Sequence, residues 1–379
     1  MPIENSEYTI CTRCVMDTSD PWISFDEHGV CNHCRNFEQN IKPNWFPNDQ
    51  GQQKLIRIAN EIKSHSCGKE YDCIIGVSGG VDSSYLLYVA KELLGLRPLA
   101  VHIDAGWNSE LAVRNIESLT KGLNVDLFTY VVNWDEIRDM QLAYLQSSLA
   151  NQDVPQDHAF FAKLYEFAVN NRIKYVLTGS NFATESILPK AWGYNPMDAR
   201  QMLAIHRKFG KEKLNDFPVS GLFRTYVYYP YIRQMKVVKP LNLMHYNVDE
   251  AIQFLSERFG WVYYGGKHFE SRWTRFFQSY YLPVKFGFDK RRPHLSSLIV
   301  SGQRERTYAM AELQKPAFDQ DTLRDDLNYI AKKLRITPDE FRSLIELPNK
   351  NFSDYENNFA FEQALRFGLL IARKFRLGV

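Results

Sequence analysis

The chain lacks any apolar run approaching about twenty residues, an absence that predicts no membrane span. Its start, Met1-Pro-Ile-Glu-Asn-Ser-Glu7, has neither the basic residues nor the apolar core of a secretory signal, so a cytoplasmic protein is expected. Charge of one sign is missing too: 46 basic against 44 acidic side chains leave +2, which offers no broad footprint for nucleic acid. No cysteine follows Cys73, so most of the chain can supply neither a catalytic thiol nor a thiolate ligand. Internal repeats and low-complexity tracts are absent. What is present is a globular composition, 45% hydrophobic and 14% aromatic over 379 residues, enough for two or three cored units.

The stretch Tyr71-Asp-Cys-Ile-Ile-Gly-Val-Ser-Gly-Gly-Val-Asp-Ser-Ser84 reads as an apolar strand that turns at two glycines and enters a helix. Gly79 and Gly80 let backbone N–H groups approach an anion, Ser78, Ser83 and Ser84 add hydroxyls, and the positive helix end faces the same point. The lysine of G-x-x-x-x-G-K-[ST] is missing, which excludes the usual NTPase loop. Ser78-Gly-Gly-Val-Asp-Ser83 instead resembles the PP-loop of the ATP pyrophosphatases. That resemblance implies cutting ATP between its α and β phosphates and passing AMP to a substrate oxygen. Asp82 is then a candidate for placing Mg2+, a hard cation that takes carboxylate oxygens and water. A bare strand-to-helix turn is the bland alternative, and it leaves the flanking serines and aspartate idle.

Four of the six cysteines form Cys11-x-x-Cys14 and Cys31-x-x-Cys34, the spacing of a zinc ribbon. Each pair points two thiolates at one tetrahedral ion, and Trp22 to Val30 between them reads as a short hairpin. Four thiolates close the coordination sphere, so Zn2+ here is expected to hold structure; an iron–sulfur or redox role is the alternative. His28 and His33 lie nearby as bystanders, and Cys67 and Cys73 are too isolated for a second cluster.

Lys42 to Gly51 is rich in proline and polar residues, and a helical pattern over 52–66 follows. Strands near 72–77, 98–103, 126–132 and 174–178 alternate with helices near 82–94, 109–122, 135–149 and 157–171, which predicts an α/β fold with a doubly wound parallel sheet. The expected units are the ribbon over 1–45, a linker and helix over 46–70, the nucleotide domain over 71–245 and a mainly helical region over 246–379. Ligands on such sheets sit beyond the carboxyl ends of strands, so the glycine loop, His102-Ile-Asp104 and Thr178-Gly179-Ser180-Asn181 should face one crevice. His102 and Asp104 are candidates for adenine or ribose; Gly179, Ser180 and Glu185 are candidates for the phosphate end. A capping or solvated carboxylate is the alternative for Asp104 and Glu185.

Further on, Gly265-Gly-Lys-His-Phe-Glu-Ser-Arg-Trp-Thr-Arg275 and Lys290-Arg291-Arg292 concentrate cations among aromatics. Read as a helix, the first passage puts His268, Arg272 and Arg275 on one face, an easy grip for an anion. A solvated basic face is the alternative, and base stacking keeps RNA in view.

Taken together, Cys11-Thr-Arg-Cys-Val-Met-Asp-Thr18, the glycine loop and the 265–277 passage resemble the N-acetyl sugar amidotransferase family over nearly the whole chain. The resemblance implies conversion of a sugar acetamido group to an acetamidino group with ATP and ammonia, in O-antigen or flagellin sugar pathways. In that chemistry Ser78, Gly79, Gly80, Ser83 and Mg2+ would neutralise pyrophosphate, with Asp82, Lys267, Glu270 and Arg272 as the catalytic set. His268, Arg275, Lys290, Arg291 and Arg292 would meet a nucleotide-activated sugar. No glutaminase nucleophile is recognisable, because Met1-Pro2 offers none and neither Cys67 nor Cys73 sits in an elbow. Ammonia is therefore expected from a separate glutamine amidotransferase, by resemblance a glutaminase with a barrel-type partner. The rival readings are a tRNA-thiolating PP-loop enzyme, disfavoured by the missing cysteines and near-neutral charge, and a nucleotide-binding scaffold without catalysis.

Overall fold

The computed structural model describes residues 8–365. Five strands, β1 (Cys73–Gly76), β2 (Pro98–Asp104), β3 (Leu127–Val131), β4 (Tyr175–Leu177) and β5 (Lys236–Val238), form one parallel sheet in the order β3-β2-β1-β4-β5. The order runs outward from β1 to β3 and then returns to the other side of β1, so the switch point lies between β1 and β4. The loops that leave those two strands are the glycine loop and Thr178–Asn181, side by side.

The central strands are apolar because both their faces are covered. Ile74, Val101 and Val176 turn to one side, against the helices Trp134–Ser147 and Val154–Asn170. Cys73, Ile75, Ala100 and Leu177 turn to the other, against Asp49–His65, Val81–Tyr88 and Glu110–Leu123, with Leu255 of Val248–Phe259 joining them. Local chemistry sets the helix ends: Asn48, Ser109 and Asn247 cap amino termini with side-chain oxygens, and Asn124 and Gly260 end helices in left-handed conformation.

The fifth strand was not foreseen. Lys236-Val-Val238 is three residues long and exposed at the sheet edge, too short for a two-residue alternation to register. The expected hairpin over 22–30 is a turn closed by a single Phe25–Cys31 bridge. The carboxy-terminal helices share the core of the sheet: Trp273, Phe276, Tyr281, Ile330 and Phe341 lie in the same apolar cluster as Ile74 and Val101.

Candidate active site

Gly79 turns the loop after β1. Its φ is +88°, and a Cβ there would stand 2.9 Å from the Tyr264 hydroxyl and 3.1 Å from the Ala112 carbonyl oxygen, so only glycine fits. Its carbonyl accepts from Tyr264 OH at 2.8 Å and Trp261 Nε1 at 3.1 Å, which turns the oxygen away from the crevice. Gly80 begins the helix Val81–Tyr88 with no side chain capping it, leaving first-turn N–H groups for a ligand or water. Ser78 Oγ accepts from Gly80 N–H at 3.2 Å and donates to Glu270 Oε1 at 3.2 Å; Ser83 Oγ donates to the Gly80 carbonyl at 3.1 Å. Ser84 is buried and its hydroxyl turns back toward the Gly79 carbonyl, so it faces the interior rather than an anion.

The loop after β4 closes on this turn. A Cβ on Gly179 would lie 2.8 Å from the Asp82 carbonyl carbon, so the two backbones touch. Ser180 N–H bonds Thr178 Oγ1 at 3.3 Å, and Asn181 Nδ2 donates to Asp82 Oδ1 at 3.0 Å. Tyr246 OH donates to the same oxygen at 2.5 Å, and Lys267 Nζ stands 3.2 Å from Oδ2. Lys267 also meets Glu185 Oε1 at 2.9 Å and Thr184 Oγ1 at 2.8 Å. Burial alone disfavours the ammonium, yet Asp82 and Glu185 more than offset it and hold Lys267 above its ordinary value. Burial likewise opposes the Asp82 carboxylate, and Lys267 with the Tyr246 hydroxyl holds it below the usual range. The His268 side chain keeps 45% of its surface open, so the crevice is wet and these couplings are screened.

The loop after β2 acts on the site indirectly. His102 Nδ1 bonds the Val77 carbonyl at 2.8 Å, its Nε2 meets Asn108 Nδ2 at 2.9 Å, and Asp104 Oδ1 accepts from Gly106 N–H at 2.7 Å. Both residues therefore shape residues 105–109. That loop then pins the basic passage with main-chain bonds: Ser109 N–H to the Glu270 carbonyl at 2.8 Å, and Arg272 N–H to the Trp107 carbonyl at 2.9 Å. Glu270 is thereby carried over Ser78.

The helical reading of 265–275 is corrected. Ser271 caps a helix that starts only at Arg272, and His268 sits before it with φ +64°, so His268 and Arg272 do not share a helix face. Arg272 and Arg275 do share one, but both grip Asp326, each with a nitrogen 2.7 Å from Oδ1, and Arg272 also lies 3.9 Å over the Tyr329 ring. Arg291 pairs with Asp289, and Arg292 turns to Asp17 at 3.0 Å. These four guanidiniums have carboxylate partners within the chain, as Lys267 has, but apart from the anion loop.

Lys290 lies within electrostatic range of Glu185 and of two carboxyl groups the sequence reading missed. Asp153 accepts from Thr274 Oγ1 at 3.1 Å and Gln156 Nε2 at 2.6 Å; Asp157, one turn on, has no hydrogen-bond partner among the described residues. Burial pushes Asp153 up to about 6, and burial with the neighbouring Asp153 charge pushes Asp157 up to about 7. Burial lowers Lys290, and burial with the charge of Lys267 lowers His294 to about 3. Thr184 and Tyr246 were missed as well, and Asn181 was placed at the crevice without a partner. Only Thr178-Gly-Ser-Asn carried a signal for any of them, a loop directly after a strand; Tyr246 and Asp157 are brought in from far along the chain.

At the far side, the sulfurs of Cys11, Cys14, Cys31 and Cys34 lie within 4.8 Å of one another, buried. Separations of 3.7 Å and 4.0 Å between facing pairs suit four ligands about 2.3 Å from one tetrahedral ion. His33 is turned to Asp20 at 2.7 Å and His28 is exposed, so neither competes as a ligand.

Residues 270–366 match the family described as LPS biosynthesis protein WbpG-like, C-terminal domain. Over 83 residues, 22% of the chain, the sequence is 39% identical to a glutamine-hydrolyzing GMP synthase of Pyrobaculum aerophilum. The chain spans 15% and 40% of the lengths of two curated relatives that it matches. Among solved structures, NMN synthetase from Francisella tularensis is similar at 18% identity and TM-score 0.28, over 55% of this chain and 85% of that one. NH3-dependent NAD synthetase from Campylobacter jejuni is similar at 14% identity and TM-score 0.31, over 74% and 94%. No described helix is long and apolar enough to cross a membrane. Strand order and the glycine loop at the switch point make the chain a doubly wound parallel α/β protein, and its residues 270–366 are similar to the WbpG-like C-terminal domain family of lipopolysaccharide biosynthesis.

Proposed function

We propose that this protein is an ATP-dependent, AMP-forming amidotransferase that converts an acetamido group of a nucleotide-activated sugar to an acetamidino group. One observation carries the reading: the anion loop and the start of the WbpG-like segment meet directly, Ser78 Oγ donating to Glu270 at 3.2 Å beside Lys267. The similarity to a glutamine-hydrolyzing synthase supports ligase chemistry with a nitrogen donor.

An amide oxygen is a poor leaving group. Its attack on the α-phosphorus of ATP breaks the bond to the β-phosphate, expels pyrophosphate and leaves an imidate adenylate. Ammonia adds to the imidate carbon, gives up a proton to a base, and AMP departs with the former amide oxygen; the product is an amidinium. The protein's share is positioning and charge stabilisation. First-turn N–H groups after Gly80, the Ser83 hydroxyl and the Lys267 ammonium would hold the departing pyrophosphate. Asp82 keeps Lys267 in place, since both its oxygens are already taken by donors. Glu185 Oε2 and Glu270 Oε2 have no protein partner among the described residues and would take Mg2+, which neutralises pyrophosphate. Asp157, whose proton affinity burial and Asp153 raise to near neutral, would accept the ammonia proton.

Zn2+ in the four-cysteine site would serve structure, because four thiolates leave no open position. The ammonia would come from a separate glutaminase, by resemblance one with a barrel-type partner: Cys67 is exposed and Cys73 is buried in β1, where burial pushes its thiol up. The test is pyrophosphate release with ATP, Mg2+, ammonium and a panel of diacetamido sugar nucleotides, with mass spectrometry of the sugar. Equal AMP and pyrophosphate, and a product lighter by the exchange of oxygen for NH, are expected. Release that depends on tRNA and leaves every sugar unchanged would move the protein to RNA modification.

A further inference from the structure

The helix Arg291–Val300 stands between the cysteine ribbon and the loop after β4, and its two faces are bonded to different neighbours. Arg292 and Ser296, one turn apart, face the ribbon. Arg292 Nη1 donates to the Val15 carbonyl at 2.8 Å, its Nε meets Asp17 at 3.0 Å, and Ser296 Oγ accepts from Val15 N–H at 3.2 Å. Arg306, on the next helix, donates to the carbonyls of two of the clustered cysteines, Cys11 and Cys14, at 3.0 Å each.

Ser297 and Ser301, also one turn apart, face the other way. Ser297 Oγ accepts from Ile187 N–H at 3.0 Å and Ser301 Oγ donates to the Ala183 carbonyl at 2.8 Å. Between those two bonds lie Thr184 and Glu185, the residues that hold Lys267 at 2.8 Å and 2.9 Å. Packing follows the same line, with Met16 and Phe37 of the ribbon in one buried cluster with Ile187 and Val300.

We propose that this helix is a strut coupling the four-cysteine ribbon to the anion loop, with Arg292, Ser297 and Ser301 as positioning residues for Lys267. The proposal rests on the nucleotide reading of the loop, and goes beyond it by giving the ribbon a part in anion binding. A rigid element bonded on both faces transmits displacement from one neighbour to the other. Coupling between two sites is reciprocal, so an anion that orders Lys267 must tighten the ribbon's hold on its metal by the factor with which the metal tightens the anion.

The experiment uses the full chain loaded with zinc. Zinc affinity is measured by chelator competition with and without saturating pyrophosphate, and pyrophosphate binding is measured by calorimetry. Pyrophosphate is expected to strengthen zinc binding about tenfold in the unaltered protein. The double variant Ser297→Ala, Ser301→Ala keeps every cysteine and the anion loop, so it should still bind zinc and should bind pyrophosphate about tenfold more weakly, as the coupling falls toward one. Hydrogen exchange over 182–187 should rise in the same variant, and exchange over 8–36 should not. Pyrophosphate that binds without altering zinc affinity overturns the strut and leaves the nucleotide reading standing. Undiminished coupling in the double variant also overturns it, and absence of pyrophosphate binding removes the nucleotide reading together with the strut.

Discussion

The cations between Lys267 and Arg292 fall into two groups that composition cannot separate. Lys267 and Lys290 lie beyond the ends of β1 and β4, near Asp82, Glu185, Asp153 and Asp157. Arg272, Arg275, Arg291 and Arg292 each pair with a carboxylate of the chain, and those of Asp326 and Asp17 are buried. The difference lies in where the partners stand: Lys267 also pairs with carboxylates, Asp82 and Glu185, but these belong to the two loops that meet at the anion turn, whereas the partners of Arg272, Arg275 and Arg292 stand elsewhere. Lys285 falls with the arginines, since its Nζ donates to the carbonyls of Ile345 and Leu347 and ties two helical segments together.

Four changes test that division. The largest effect belongs to Lys267→Met, which should slow pyrophosphate release per folded molecule about 10³-fold, roughly 4 kcal/mol of transition-state stabilisation. Single-turnover release reads it, and near-normal release would place the cationic end of the site elsewhere. Next comes Asp326→Ala, which strands two guanidiniums and should cost about 3 kcal/mol in denaturant unfolding while activity per folded molecule persists. Arg275→Ala is smaller, about 1–2 kcal/mol, because Arg272 still pairs with Asp326; a loss of sugar binding without a loss of stability would erase the distinction drawn above.

The smallest effect concerns pH. Asp157 ordinarily titrates near 3.8 and is held at about 7 in the folded chain, so the folded state keeps a proton that the unfolded state has lost across that window. Stability should fall as pH rises from about 4 to about 7, and Asp157→Asn, which cannot ionise, should escape the fall by about 1 kcal/mol at pH 8 after screening by water. Melting curves at both pH values decide it; an equal shift at both would mean the carboxyl is already ionised at pH 4.

β1, β2 and β4 were legible because their apolar runs are covered on both faces, the largely exposed β3 because its apolar run follows a helix in the same alternation, and the glycine loop because its chemistry is local: two glycines, a helix start and hydroxyls within seven residues, 78–84. β5 was not, since three edge residues carry no period. Within 265–275 the charges were readable but their direction was not. Ser271 moves the helix start past His268, and Asp326, more than fifty residues on, takes both arginines.

By itself, then, the sequence determined what short-range physics controls: the parallel alternation, the anion turn that only glycine permits at Gly79, and four thiols spaced to share one ion. Tertiary structure alone decided which charges remain available, because that depends on partners distant in sequence. Asp82 meets Tyr246 and Lys267, Glu270 arrives over Ser78, and the ribbon reaches the site through one helix bonded on both faces. A residue type states what a side chain can do; the low-dielectric contacts closed by folding determine whether it is free to do it.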